Sequence, residues 1–237
     1  MSFIQANNLP FGFAVQRGNV PNFSAINKFG YNSAVGTSYE TIWDGNNAYT
    51  YISSAGTATV TSSDTSSDND SVVEIQGLDA NYNLQTVDAT VGGSATTETF
   101  IRVFRVRVKS ANTGTANVGV ISVTVSSTVV AKIAAAEGQT LMAVYTIPNK
   151  YRGYLVSVNG ASSKDLENTF RLRARNVTED AFNKKGFITT RGEIYKKNYE
   201  VPVVLEAKTD LELQVKGSAT SAASGGFELI LEKIDQS

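Results

Sequence analysis

From Tyr49 onward, short runs of alternating apolar and polar residues recur roughly every ten positions, with Gly, Asn, Asp or Ser at the junctions. A period of two is what a strand needs to turn one face to a core and the other to solvent. In 170–175, Phe170, Leu172 and Ala174 fall on one face and Arg171, Arg173 and Arg175 on the other. Leu211, Leu213 and Val215 oppose Glu212, Gln214 and Lys216 in the same way. The pattern predicts strands over 57–62, 71–76, 82–90, 99–109, 118–125, 128–133, 140–147, 153–158, 168–176, 187–196, 201–206, 210–216 and 227–234. No stretch holds helical periodicity; AKIAAAE at 131–137 comes nearest and is short. Many short, evenly spaced strands pack as a sandwich or barrel. The expected fold is all-β, a jelly-roll-like β-sandwich spanning 49–237.

Residues 1–48 break the pattern. They are rich in Asn and Gly, hold Pro10 and Pro21, and show no sustained alternation. They also carry Phe3, Phe11, Phe13, Phe23, Phe29, Tyr31, Tyr39 and Trp43, too many aromatics for a solvated tail. Those rings need a surface, which is either the chain's own sandwich or a neighbouring chain. The reading adopted is an extended N-terminal arm, 1–48, acting as an interaction segment. Two low-complexity stretches, SSDTSSDNDS at 62–71 and KGSATSAASGG at 216–226, read as mobile surface loops.

The chemistry available is narrow because the chain has no Cys and no His. That excludes a disulfide framework, a serine–histidine or cysteine triad, and thiolate or imidazole metal sites. Asp64, Asp68 and Asp70 could offer oxygen ligands to Ca²⁺, but their spacing matches no EF-hand loop and its glycine is missing. They read as solvated loop acids. No carboxylate pair stands out for sugar hydrolysis, and Gly36, Gly45 and Gly77 build no phosphate cradle. The expectation is a protein without catalytic, metal or cofactor sites. No secretory pattern opens the sequence, and the most apolar stretch, 118–136, is interrupted by Ser, Thr and Lys. A cytosolic product with no membrane contact fits these features.

Charge is unevenly spread around a net value of −1. Residues 64–98 carry seven acids and no Lys or Arg, whereas 150–197 carry eleven Lys/Arg against five acids. Arg171, Arg173 and Arg175 would form a stripe about 7 Å apart along one strand, and Arg105, Arg107 and Lys109 repeat it on another. Guanidinium suits phosphate and carboxylate alike. The overall charge argues against DNA as the principal partner, because phosphate binding usually brings a strong basic excess.

The run KFGYNSAVGTSYETIW at 28–43 sets Phe29, Tyr31, Tyr39 and Trp43 among small polar residues. Further landmarks are Gly77-Leu78-Asp79 with Asn81-Tyr82, Phe104-Arg105, Gln139-Thr140-Leu141-Met142-Ala143, Tyr145-Thr146-Ile147-Pro148, Lys208-Thr209-Asp210 and Phe227-Glu228-Leu229-Ile230-Leu231. Over roughly residue 25 to the C-terminus, the chain resembles a family of virion structural proteins of tailed phages, many of them marine. The resemblance implies a capsid decoration (cement) protein on the capsid surface, bridging major capsid protein subunits. By analogy with other cement proteins it implies a homo-oligomer, with a trimer favoured. The candidate interface residues are Phe29, Tyr31, Tyr39, Trp43, Arg105, Arg107, Arg171, Arg173 and Arg175. A tail or neck component, such as a fibre-attachment or glycan-binding module, is the alternative; the fibre repeats or coiled coil it would favour are absent from the sequence.

Overall fold

A computed structural model describes residues 10–163 and 166–234. In chain order its elements are α1 (Phe11–Gln16), β1 (Phe23–Val35), β2 (Glu40–Thr41), β3 (Gly56–Ser62), α2 (Thr65–Asp68), β4 (Val72–Leu78), β5 (Leu84–Thr90) and β6 (Thr99–Phe100). They continue as β7 (Arg102–Ser110), β8 (Ile121–Val125), β9 (Thr128–Ile133), β10 (Val144–Thr146), β11 (Tyr151–Ser162) and β12 (Glu167–Asn176). The last four are β13 (Asn183–Arg191), β14 (Tyr195–Leu205), β15 (Thr209–Gly217) and β16 (Ser221–Lys233). The fold is all-β, and every strand pairing is antiparallel.

Two sandwiches share the chain. In the larger, sheet A runs β1-β16-β11-β14 and sheet B runs β10-β15-β12-β13, with β2 also pairing β15. Taken as eight strands in chain order, leaving β2 aside, these sheets read 1-8-3-6 and 2-7-4-5. First pairs with last, second with seventh, third with sixth and fourth with fifth, as when one long antiparallel ribbon is wrapped into two sheets. That is a jelly roll. Its core forms where large side chains of sheet B meet small residues of sheet A. The Phe170 ring lies against Gly160, and the Leu213 side chain against Gly225. Phe170, Leu172, Leu213, Phe227 and Leu229 are all buried, each contributing about 1.5–3 kcal/mol of transfer free energy.

The smaller sandwich is inserted between the first and second strands of the roll. It packs sheet C, β6-β3-β8-β9, on sheet D, β5-β4-β7. Val60, Ile75, Val106, Ile121 and Val123 are among its buried residues. The two ends of the insert meet at a narrow stem. Trp43 forms a bridge with Met142, the Ala143 N–H donates to the Ile42 carbonyl at 2.9 Å, and the Ile42 N–H donates to the Leu213 carbonyl at 3.0 Å. The strand β1 lies directly on this stem. A Cβ on Gly30 would stand 2.1 Å from the Ile42 carbonyl oxygen, so only glycine allows that approach.

Residues 23–35 of the expected arm are therefore a strand of the roll, and 40–41 pair with β15; residues 1–9 of that arm lie outside the described residues. The alternation of β1 was hidden because it is inverted. Lys28, Gly30 and Asn32 face inward while Phe29 and Tyr31 face out. The single sandwich expected over 49–237 is likewise divided, since 56–133 close into sheets of their own. The stretch 216–226, expected as a mobile loop, supplies the first half of β16 from Ser221. Its small residues are needed there: a Cβ on Gly226 would lie 2.0 Å from the Lys28 carbonyl oxygen. The turn expected near 197–200 instead falls at 192–194, where Gly192 takes a left-handed φ of 65°. Asp68, expected to be solvated, is buried. Its carboxylate accepts from the Ser62 hydroxyl at 2.5 Å and from the N–H groups of Val118 and Gly119 at 2.7 and 2.8 Å.

Candidate functional site

The arginine stripe on β12 does not face solvent freely. Arg171, Arg173 and Arg175 stand in register with Gln214, Glu212 and Asp210 of β15. Arg171 Nε donates to Gln214 at 2.8 Å, Arg173 Nη2 to Glu212 at 3.1 Å and Arg175 Nη2 to Asp210 at 3.2 Å. The two carboxylates are completely buried, while Arg173 and Arg175 keep 22% of their side-chain surface exposed. Aromatic faces cover the guanidinium groups. Arg171 lies 3.6 Å from the centre of the Tyr39 ring, and Arg173 and Arg175 lie 4.2 and 4.6 Å from that of Phe182. A cation over a ring face gains electrostatic attraction that partly replaces lost hydration.

From the inserted sandwich, Arg102 closes this ladder. Its Nε and Nη2 bind Asp210 at 2.8 and 3.0 Å, and its Nη1 donates to the Ile52 and Ile101 carbonyls. The Thr146 hydroxyl donates to Asp210 at 2.7 Å, and the Thr41 hydroxyl to Glu212 at 2.5 Å. Arg171, Arg173 and Arg175 thus hold the fold together, and the expected outward stripe is corrected to a half-buried one paired with the polar face of β15. The cause is the alternation of β15, whose polar face is covered by the insert and the stem instead of by water.

The other candidates separate. Trp43 is buried, its ring over Gly45 and its Nε1 donating to the Asn47 carbonyl at 2.9 Å. Tyr39 lies under Arg171 and Lys216. Arg107 forms a bidentate pair with Glu74 at 2.9 and 2.8 Å, and Lys109 pairs with Asp88 at 2.5 Å. Arg105 is exposed and donates to Gln139 at 3.2 Å. Phe29 and Tyr31 remain exposed on β1, on the same molecule as exposed Phe11 and Phe13.

A cleft of about 340 Å³ lies between β1 and the edge of sheet D. Lys28 is buried in its wall, with its Nζ donating to the Phe104 carbonyl. Among the described residues no carboxylate pairs with it. Burial, and then the charge of Arg105, bring its pKa down to about 7. The unfolded chain, with an ordinary lysine, binds a proton that the folded chain releases between about pH 7 and pH 10. Stability should therefore rise with pH through that window, by roughly 3–5 kcal/mol. Denaturant unfolding of the protein and of Lys28→Met across the window checks this; equal slopes for the two would refute it.

Opposite the insert the roll is open. The strands β13 and β14 end sheets B and A, and among the described residues no further strand pairs with either. Ile194 and Val201 are 81% and 83% exposed, and Phe187 and Val204 are also exposed. Residues 183–205 carry five Lys/Arg against two Glu. Sequence reasoning missed this surface, although one signal was present: Pro202 within the strand pattern. Proline cannot donate to a ladder and is confined to edge strands or bulges, and the β11–β14 register does shift between Leu155 and Ser157, opposite this stretch.

Among the described residues, no helix is long and apolar enough to cross a membrane, and no cluster of three or more His, Cys, Asp or Glu is placed to hold a metal ion. No protein-family model matches the sequence, and no curated protein matches it.

Proposed function

We propose that this chain is a virion structural protein of a tailed phage, one that decorates the capsid and stabilises it by bridging major capsid protein subunits. The observation that carries this reading is the open side of the roll at β13 and β14. Two unpaired strand edges there stand beside exposed Phe187, Ile194, Val201 and Val204 within a basic segment. An exposed edge is a template for strand addition, and natural proteins leave one bare where a partner covers it or protect it with charge. The jelly roll supports the same reading at the level of fold only, since it recurs in viral capsid and lectin domains. Repetition on a lattice lets modest contacts hold each copy firmly.

The test is binding to empty shells assembled from the major capsid protein of the same phage. Ile194→Asp combined with Val201→Asp should leave circular dichroism unchanged, because both side chains are solvated, and should abolish shell binding. Full binding by the double variant would refute the role of this surface. A map of the particle with few copies at one vertex, in place of many across the shell, would replace decoration by a tail or neck role.

A further inference from the structure

We propose that the cleft beside Lys28 is a binding site for a small organic carboxylate. Its wall combines two cationic side chains, Lys28 from β1 and Arg105 from β7, with the amide of Gln139 and the apolar surfaces of Ile26, Phe29 and Phe104. Neither cation has a carboxylate partner among the described residues. The other buried cation among the described residues, Arg102, has one in Asp210. A buried charge without a counter-ion is costly, and here the vacant side of the pair is open space. One ammonium hydrogen goes to the Phe104 carbonyl, which leaves two donors for an incoming oxyanion.

The volume, about 340 Å³, sits at the small end of ligand pockets. It suits an acid with one ring or a short aliphatic body against Ile26 and Phe104. The groups facing Lys28 from the surrounding elements are Arg105 on β7, Gln76 on β4, Gln139 and Thr140 on the stem, and Tyr145 on β10. Of these only Arg105 is charged at neutral pH, because burial pushes the Tyr145 phenol upward. A bound carboxylate would hold the proton on Lys28, so binding is coupled to protonation near neutrality.

Benzoate is the probe, titrated into the full chain with calorimetry and two-dimensional NMR. At about pH 6, where Lys28 is protonated, one saturable site should appear with shifts centred on residues 25–29 and 104–105. Lys28→Met should weaken it at least about thirtyfold, and Arg105→Gln should weaken it less. In the unaltered protein, affinity should fall steadily as pH rises from about 6 to about 8.5, a result that needs no variant to fold. Absence of saturable binding at the lower pH, or affinity independent of pH, would overturn the assignment. Inorganic phosphate binding as tightly as benzoate would overturn the organic acid, since the apolar wall would then contribute nothing.

Discussion

Arg102→Met is expected to lower the free energy of unfolding by about 3–5 kcal/mol, the cost of leaving a buried carboxylate without its partner. Asp210 has no solvent exposure, and Arg102 supplies its two shortest guanidinium contacts. Arg175 and Thr146 would remain, but each brings a single hydrogen bond. The effect should reach beyond local stability. Arg102 is in the inserted sandwich and Asp210 in the roll, so the pair ties the two together. Equilibrium denaturation would show the loss, and a double-mutant cycle with Asp210→Asn would assign it to the pair. A cost below about 1 kcal/mol would mean that water replaces the guanidinium freely, as at exposed ion pairs.

Truncation at the N-terminus should divide sharply between two cut points. Removing residues 1–22 takes away α1, whose Phe11 ring meets Phe23 edge-on at 5.5 Å, and leaves every described strand intact. That product should be folded and soluble. Removing 1–35 deletes β1, which has eleven register partners along β16. It would also uncover the stem beneath Gly30 and the paired edge of β16. The expected result is an insoluble or unfolded product, because a domain is held folded by only roughly 5–15 kcal/mol and this deletion removes an edge strand of the roll. Size-exclusion chromatography and circular dichroism of the two products decide it. A monomeric, strand-rich product from the longer deletion would return β1 to the status of a detachable arm.

The strands most legible in the sequence were those with one face on a core and one on water. In β12 and β15, apolar residues occupy every second position, and Phe170, Leu172, Leu211 and Leu213 are buried as that pattern requires. What the pattern could not reveal was the second burial of the same strands. Arg171 and Glu212 look like solvent-facing residues to any rule based on hydropathy, yet Tyr39 covers the first and Thr41 and Arg173 enclose the second. β1 failed the rule for a related reason, since its inward positions are Lys28, Gly30 and Asn32. Gly30 is small because backbone lies on it, and Asn32 turns inward to bind Glu40 and the Thr41 carbonyl. Such positions carry no hydrophobic signal. Of the candidate surface, Phe29, Tyr31 and Arg105 are exposed, whereas Trp43 is packed away and the β12 arginines are paired inside.

The placement of the insert also sets an order on how the chain can be assembled during synthesis. Phe23 pairs with Glu232, so the first strand of the roll finds its neighbour only after some two hundred further residues have been made. The insert has no such wait, because its seven strands end at Ile133 and pair among themselves. Contacts so distant in sequence form slowly, and an unpaired strand edge is exposed to other chains meanwhile. A ribosome translating this message therefore carries a finished small sandwich with a bare β1 beside it, one face resting on the stem at Gly30 and its pairing edge still open.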